Sequence, residues 1–167
     1  MRGKLPTPYT WETKLSAIGQ QAFATAADRQ TAVRTAWETL VSSGKMGYMV
    51  LLRNLLEANV SAATMVQMCA TLADGRAVAR SQQLPRCFLA AYREVKAVPS
   101  GHTAAVLGAL EAAIAHSAAN LRGFGPETRV LVACDVSSSM QKLISPRSKV
   151  LLYDVSLVLG MLLQSRC

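Results

Sequence analysis

Residues 129–140 read RVLVACDVSSSM. The first half, Arg129 to Asp135, is a continuous apolar run rich in Val, which fits a strand buried on both faces, as in the middle of a parallel sheet. The second half places one carboxylate and three hydroxyls where that strand ends. Downstream, residues from about Arg147 to Gln164 form an apolar stretch of helical length, so the order strand, loop, helix reads as the opening of an α/β domain. A parallel strand needs neighbours for its N–H and C=O groups, and no second strand follows in the sequence. The chain is therefore expected to be a fragment, or its sheet to be completed by something else.

Upstream of this stretch the pattern is different. From Trp11 to Leu121 the chain is dominated by Ala, Leu, Met and Gln, which are good helix formers. Breaks at punctuation residues predict helices over Trp11 to Ala26, Arg29 to Ser43, Gly47 to Ala58, Ala62 to Ala73, Pro85 to Ala97 and Thr103 to Leu121. Asp28 is placed to cap the second and Ser61 the fourth, Gly44 sits just beyond the end of the second, and Pro85 suits a first helical position. Helices of this length on short turns predict an antiparallel array of helical hairpins. Gly123-Phe124-Gly125-Pro126 then reads as a boundary, giving a helical domain over 1–122 and the start of an α/β domain over 127–167. The expected fold is mostly α.

Composition narrows the function classes. The chain has 167 residues, 51% of them hydrophobic, enough for a globular core, and a formal charge of +8 that favours anionic partners such as nucleic acid or an acidic surface. Cys69, Cys87, Cys134 and Cys167 are scattered without a CxxC pair or a flanking His cluster, which suggests neither a zinc site nor a disulfide framework. The N-terminus lacks the apolar core of a secretory signal, and the apolar segment Val150 to Leu163 is interrupted by Asp154 and too short to span a bilayer. A soluble, cytoplasmic protein with no membrane partner is expected.

Two stretches carry candidate chemistry. Asp135, Ser137 and Ser139 lie at the carboxyl end of the predicted strand, where open α/β sheets bind ligands. Alternate spacing in a tight loop lets their three oxygens converge, and an all-oxygen set suits a hard divalent cation such as Mg²⁺. The plainer reading is a Ser-rich turn that caps a helix. The second stretch, GKMGYMVLLRNLLEANV, Gly44 to Val60, is an apolar helix that carries Lys45 and Arg53 on roughly one side, a pair of cations suited to phosphate. An exposed Arg53–Glu57 pair is the structural alternative. Lys14 and Lys4 extend the set of candidate phosphate contacts, and Tyr9, Trp11 and Tyr48 are candidates for stacking on bases, each also a candidate for the core. No GxSxG elbow is present, and His102 and His116 read as surface or packing residues, so no catalytic site is expected.

The LLRNL-containing helix resembles the "MPxxALLRNL" segment of the Ro ribonucleoprotein family. LPTPYTWE at Leu5 to Glu12, LGALEAAIAHSA at Leu107 to Ala118 and VLVACDVSSSM at Val130 to Met140 follow in the family's order, and the LPTPYTW wording is closest to bacterial members. The resemblance runs from Arg2 to Arg166. It implies the last part of a TROVE module, a ring of HEAT-like helical repeats, followed by the first strand and helix of a von Willebrand factor A domain. Asp135, Ser137 and Ser139 then match the DxSxS of that domain's metal-ion-dependent adhesion site, whose remaining Thr and Asp ligands come from later loops. Gly47 stands where a Pro is usual after Met46, and Leu84 precedes Pro85 where some relatives have His. The resemblance further implies a non-enzymatic protein that binds small Y-class non-coding RNA and the ends of misfolded RNA, with an exoribonuclease as a partner by analogy. The competing reading is a helical scaffold whose A-domain metal loop grips a carboxylate on a partner protein.

Overall fold

The computed structural model describes residues 10–54, 59–121, 127–146 and 148–164. The chain divides into two compact units, Met1–Gln67 and Met68–Cys167. Among the described residues the regular structure is helical, as expected for a HEAT-like array, and no strand is formed.

In the first unit, α1 (Trp11–Gly19) and α2 (Ala26–Ser42) pack on each other. Both begin in capping boxes, Thr10 with Thr13 and Thr25 with Asp28, so two orphan donors at each helix start are satisfied reciprocally. Asp28 therefore acts as the third residue of α2 and not as its cap. The first predicted helix is shorter than expected because Gly19 ends it. Gly44, at φ +64°, closes α2 in the left-handed conformation that glycine adopts without a Cβ penalty. Trp37, Leu40 and Val41 of α2 are buried, as are Leu51 and Leu52 of α3 (Tyr48–Arg53). Trp11 stacks on Trp37 with ring centroids 6.1 Å apart and planes 23° from parallel. The Ser61 amide at the entrance to α4 (Ala62–Ala73) donates to Glu38 Oε1 over 2.9 Å, tying α2 to that entrance. This bond holds the Glu38 carboxyl below its ordinary range. Ser61 also accepts from the Thr64 amide, the capping role its position predicts.

In the second unit, α6 (Pro85–Ala97) and α7 (Thr103–Ser117) form a tightly packed pair, with α5 (Gly75–Ser81) against α7. Phe88, Leu110, Val78 and Ala113 of these helices are fully buried, as is Leu72 of α4, and the small Ala109 and Ala113 let α7 be approached closely. Pro85 occupies the start of α6 as predicted. The helix α5 is absent from the sequence-based reading, which places no helix between Ala73 and Pro85; it starts at an Asp74 cap that accepts the Ala77 amide over 2.6 Å. A Cβ at Gly75 would lie 3.1 Å from Nδ1 of His116, so the glycine permits α5 to meet α7. His116 is thus an exposed residue whose ring lies against α5.

The last helix, α8 (Leu152–Gln164), begins five residues later than the predicted start at Arg147, which lies outside the described residues. Ahead of it an antiparallel bridge joins Leu143 and Leu151, with Ile144 N–H to Val150 O at 3.0 Å and Leu152 N–H to Lys142 O at 2.9 Å. Asp154, in the first turn of α8, accepts the Leu151 amide over 2.7 Å and sets the helix start. The strand predicted over 129–135 is not formed. Its residues have no ladder partner among the described residues, and a strand exists only through such pairing. Leu131 is 95% exposed.

Candidate functional site

The loop after residue 134 brings the three predicted oxygen donors together. The Ser137 amide donates to Asp135 Oδ1 at 2.8 Å, and the hydroxyls of Ser137 and Ser139 lie 2.9 Å apart. Ser138–Gln141 then form a single 3₁₀ turn. Hydrogen bonds from the Ser137 backbone and side chain favour the charged form of Asp135 and hold its pKa below the ordinary carboxylate value. The result is an exposed, ionised carboxylate flanked by two hydroxyls. Among the described residues no group of three His, Cys, Asp or Glu side chains comes together. Asp135 is accordingly the only carboxylate of the DxSxS loop, and the donor set fits half the coordination sphere of an octahedral hard cation, with waters or other oxygens needed for the rest.

The residues that lead into α8 are held by a clamp that sequence reading missed. Arg93 of α6 donates from Nη2 to Asp154 Oδ1 at 2.6 Å and from Nη1 to the Lys149 carbonyl at 2.7 Å. Lys149 in turn reaches Glu94 Oε2 at 2.8 Å. Asp154 is 7% exposed, and its second oxygen takes the Leu151 amide, so both bonds fix the start of α8. A carboxylate in an otherwise apolar helix is the sequence signal that could have found it, since a buried charge requires a partner.

The predicted cationic residues occupy the first unit. Lys45 and Arg53 are exposed and Lys14 is half-buried, while Lys4 and the alternative partner Glu57 lie outside the described residues. Lys45 lines a cleft of about 290 Å³ with Thr10, Trp11, Glu12, Leu40 and Met46. Trp11 gives one face to Trp37 and an edge to this cleft, so an aromatic surface and a cation meet there. Tyr48 is half-buried, and Tyr9 lies outside the described residues. No helix among the described residues is long and apolar enough to cross a membrane.

Comparison with known proteins adds a family. Telomerase protein component 1 of Mus musculus is 33% identical over 97 residues, which is 56% of this chain and 3% of the relative. Its Rattus norvegicus counterpart is 34% identical over 94 residues, 54% of this chain and again 3% of the relative. The chain thus spans only a small part of the length of these proteins. No solved structure matches it. Residues 1–105, more than half of the chain, match the TROVE domain, and the chain belongs to the TROVE domain family.

Proposed function

We propose that the chain is part of an RNA-binding ribonucleoprotein of the Ro type, and that it acts by binding and not by catalysis. Membership of the TROVE domain family is the observation that carries this reading. The +8 charge supports it, because Lys and Arg that neutralise phosphates release condensed counterions and supply sequence-independent affinity. Lys45, Arg53 and Lys14 are the phosphate contacts we assign in the first unit. The cleft beside Trp11 offers an aromatic edge to a base next to the Lys45 charge, a combination suited to single-stranded RNA. The RNA classes proposed are small structured non-coding RNA of the Y type and the ends of misfolded RNA, in a quality-control role with an exoribonuclease as a partner. Asp135, Ser137 and Ser139 are assigned to a Mg²⁺ site of the von Willebrand A type, completed by oxygens from outside this loop.

The test is a mobility-shift titration of structured and single-stranded RNA at increasing salt, using the full-length protein. Lys45→Ala combined with Arg53→Ala is expected to weaken binding and to reduce the slope of log K against log salt by about 1 to 2 if both cations contact phosphate. Unchanged affinity and slope would remove this helix from the RNA surface.

A further inference from the structure

Residues 75–93 contain four arginines and no acidic residue. One of the four, Arg93, is committed to Asp154 and the Lys149 carbonyl. The other three, Arg76, Arg80 and Arg86, are exposed, and among the described residues none of them has an ion-pair partner. Arg76 and Arg80 stand four residues apart on α5, which places them side by side on one helix face. Arg86 follows immediately after the turn into α6.

The turn between Arg80 and Arg86 is held in a costly conformation. Gln82 closes α5 at φ +53°, a left-handed geometry that costs a non-glycine residue on the order of 1 kcal/mol. It is pinned from several sides. Asn120, at the end of α7, donates to the carbonyls of Gln83 at 3.1 Å and Val78 at 3.4 Å, while Gln82 and Ser81 side chains bond the carbonyls of Ala79 and Val78 at 2.7 Å each. The backbone between Arg80 and Arg86 is therefore fixed. Helix electrostatics accounts for Arg80, which stands in the last turn of α5 where a cation is favoured. It does not account for Arg86. That residue places a cation in the first turn of α6, against the positive end of the helix dipole, with no acidic residue in that turn to offset it. Arg86 is an exposed charge that helix electrostatics disfavours, six residues after Arg80 along a pinned turn, and such a charge calls for an external anion.

Resting on the RNA-binding reading above, we infer that Arg76, Arg80 and Arg86 form a second phosphate-contact face, separate in sequence from Lys45 and Arg53, that grips the sugar-phosphate backbone of RNA. Arginine suits this task because its planar fork donates to two phosphate oxygens at once. The exposed amide of Gln82 adds a neutral donor and acceptor on the same turn, without base-reading specificity. The face therefore contributes affinity common to all RNA sequences.

The experiment compares the full-length protein with Arg76→Gln/Arg80→Gln/Arg86→Gln and with the corresponding triple Arg→Lys variant, by fluorescence anisotropy with a single-stranded uridine RNA over a salt series. Three lost contacts at about 0.7 counterions each reduce the slope by about 2, which is roughly a hundredfold loss of affinity at 0.1 M salt. The lysine variant keeps most of the slope, because it keeps the charges. Far-ultraviolet circular dichroism of both variants matches the parent, since the replaced groups are exposed. A glutamine variant that binds with the parental slope overturns the inference while leaving the RNA reading intact, provided the parent binds RNA. A parent that does not bind RNA overturns both. A glutamine variant that loses polyglutamate binding but keeps its RNA affinity also overturns the inference, by identifying the face as a dock for acidic protein.

Discussion

Replacing Arg93 with Met tests whether the junction before α8 depends on a buried ion pair. Arg93 Nη2 and Asp154 Oδ1 are 2.6 Å apart, with the side chains 31% and 8% exposed. Methionine keeps the aliphatic stem in place and removes both guanidinium bonds, leaving Asp154 with only the Leu151 amide. An uncompensated buried charge costs about 3–5 kcal/mol, and because Arg93 is close to one-third exposed, water recovers part of that. The expected loss is about 2–3 kcal/mol. At a denaturant dependence of about 2 kcal/mol per molar, the urea midpoint falls by about 1 to 1.5 M. The neighbouring Lys149–Glu94 pair is the internal control: it also joins a cation to a carboxylate, at 2.8 Å, but with side chains 52% and 45% exposed. An exposed pair contributes about 0–1 kcal/mol, so Lys149→Ala shifts the midpoint only slightly. Asp154→Asn removes the charge but retains an acceptor for Leu151. In the double variant no charge is left stranded, so it is less destabilised than the sum of the two single variants by about 1.5 kcal/mol or more. If Arg93→Met costs no more than Lys149→Ala, or if the two single effects simply add, Arg93 does not compensate Asp154 and the clamp is an exposed pair like its neighbour.

Two further outcomes are expected. Asp135→Ala in a protein with the complete A domain weakens Mg²⁺ binding by about tenfold or more in titration calorimetry, because the loop loses its sole carboxylate while Ser137 and Ser139 keep neutral oxygens; equal binding by mutant and parent leaves the loop as a turn cap. The Glu38 bond to the Ser61 amide is pH-dependent: a carboxyl whose folded pKa lies below its unfolded value stabilises above that unfolded value and loses the contribution as pH falls through the folded one. Hydrogen exchange at Ser61 therefore accelerates, relative to its intrinsic rate, as the pH falls below the ordinary glutamate range, and Glu38→Gln flattens this dependence; a parent with constant protection across that range refutes the assignment.

Most of the helical part was legible because its determinants are local. Gly44, Pro85 and Ser61 take the positions their chemistry dictates, and the apolar spacing of Trp37, Leu40 and Val41 faces the core. The errors were also local, and each traces to a competing rule. Asp28 was read as a cap because aspartate favours that place, whereas Thr25 takes it and uses Asp28 as the reciprocal partner. No helix is predicted between Ala73 and Pro85, whereas Asp74 caps a short α5 there and Gly75 opens it, with the His116 ring 3.1 Å from where a Cβ would lie. The clamp of Arg93 on Asp154 bridges residues 61 positions apart, and spacing along the chain carries no signal for such a contact. The DxSxS loop lies between these cases. Its three donors are adjacent in sequence, so their convergence was legible, but any oxygens that complete a metal sphere are not local.

The segment over 129–136 shows why an apolar strand differs from an apolar helix as a sequence signal. A helix satisfies its backbone within itself, so α8 forms although Leu157 and Met161 remain 40% and 70% exposed. A strand satisfies nothing alone. Cys134 Sγ touches the Ser156 carbonyl at 3.4 Å, and a Cβ on Gly160 would meet Val132 at 3.1 Å, so one side of the segment leans on α8 at a position kept open by glycine. Between them runs an open groove of about 780 Å³ lined by Val130, Val132, Leu157 and Met161. Burying a Val or Leu side chain stabilises by about 1.5–3 kcal/mol, and Leu131, Val132 and Val136, at 95%, 41% and 61% exposure, realise little of it. The Val-rich composition is therefore matched to an environment in which neighbouring strands cover both edges. The same cover would fix the Asp135 loop at a strand end, so the Mg²⁺ assignment proposed above carries a linkage: agents that order residues 130–134 are expected to tighten Mg²⁺ binding at Asp135, and bound Mg²⁺ to protect those amides in return.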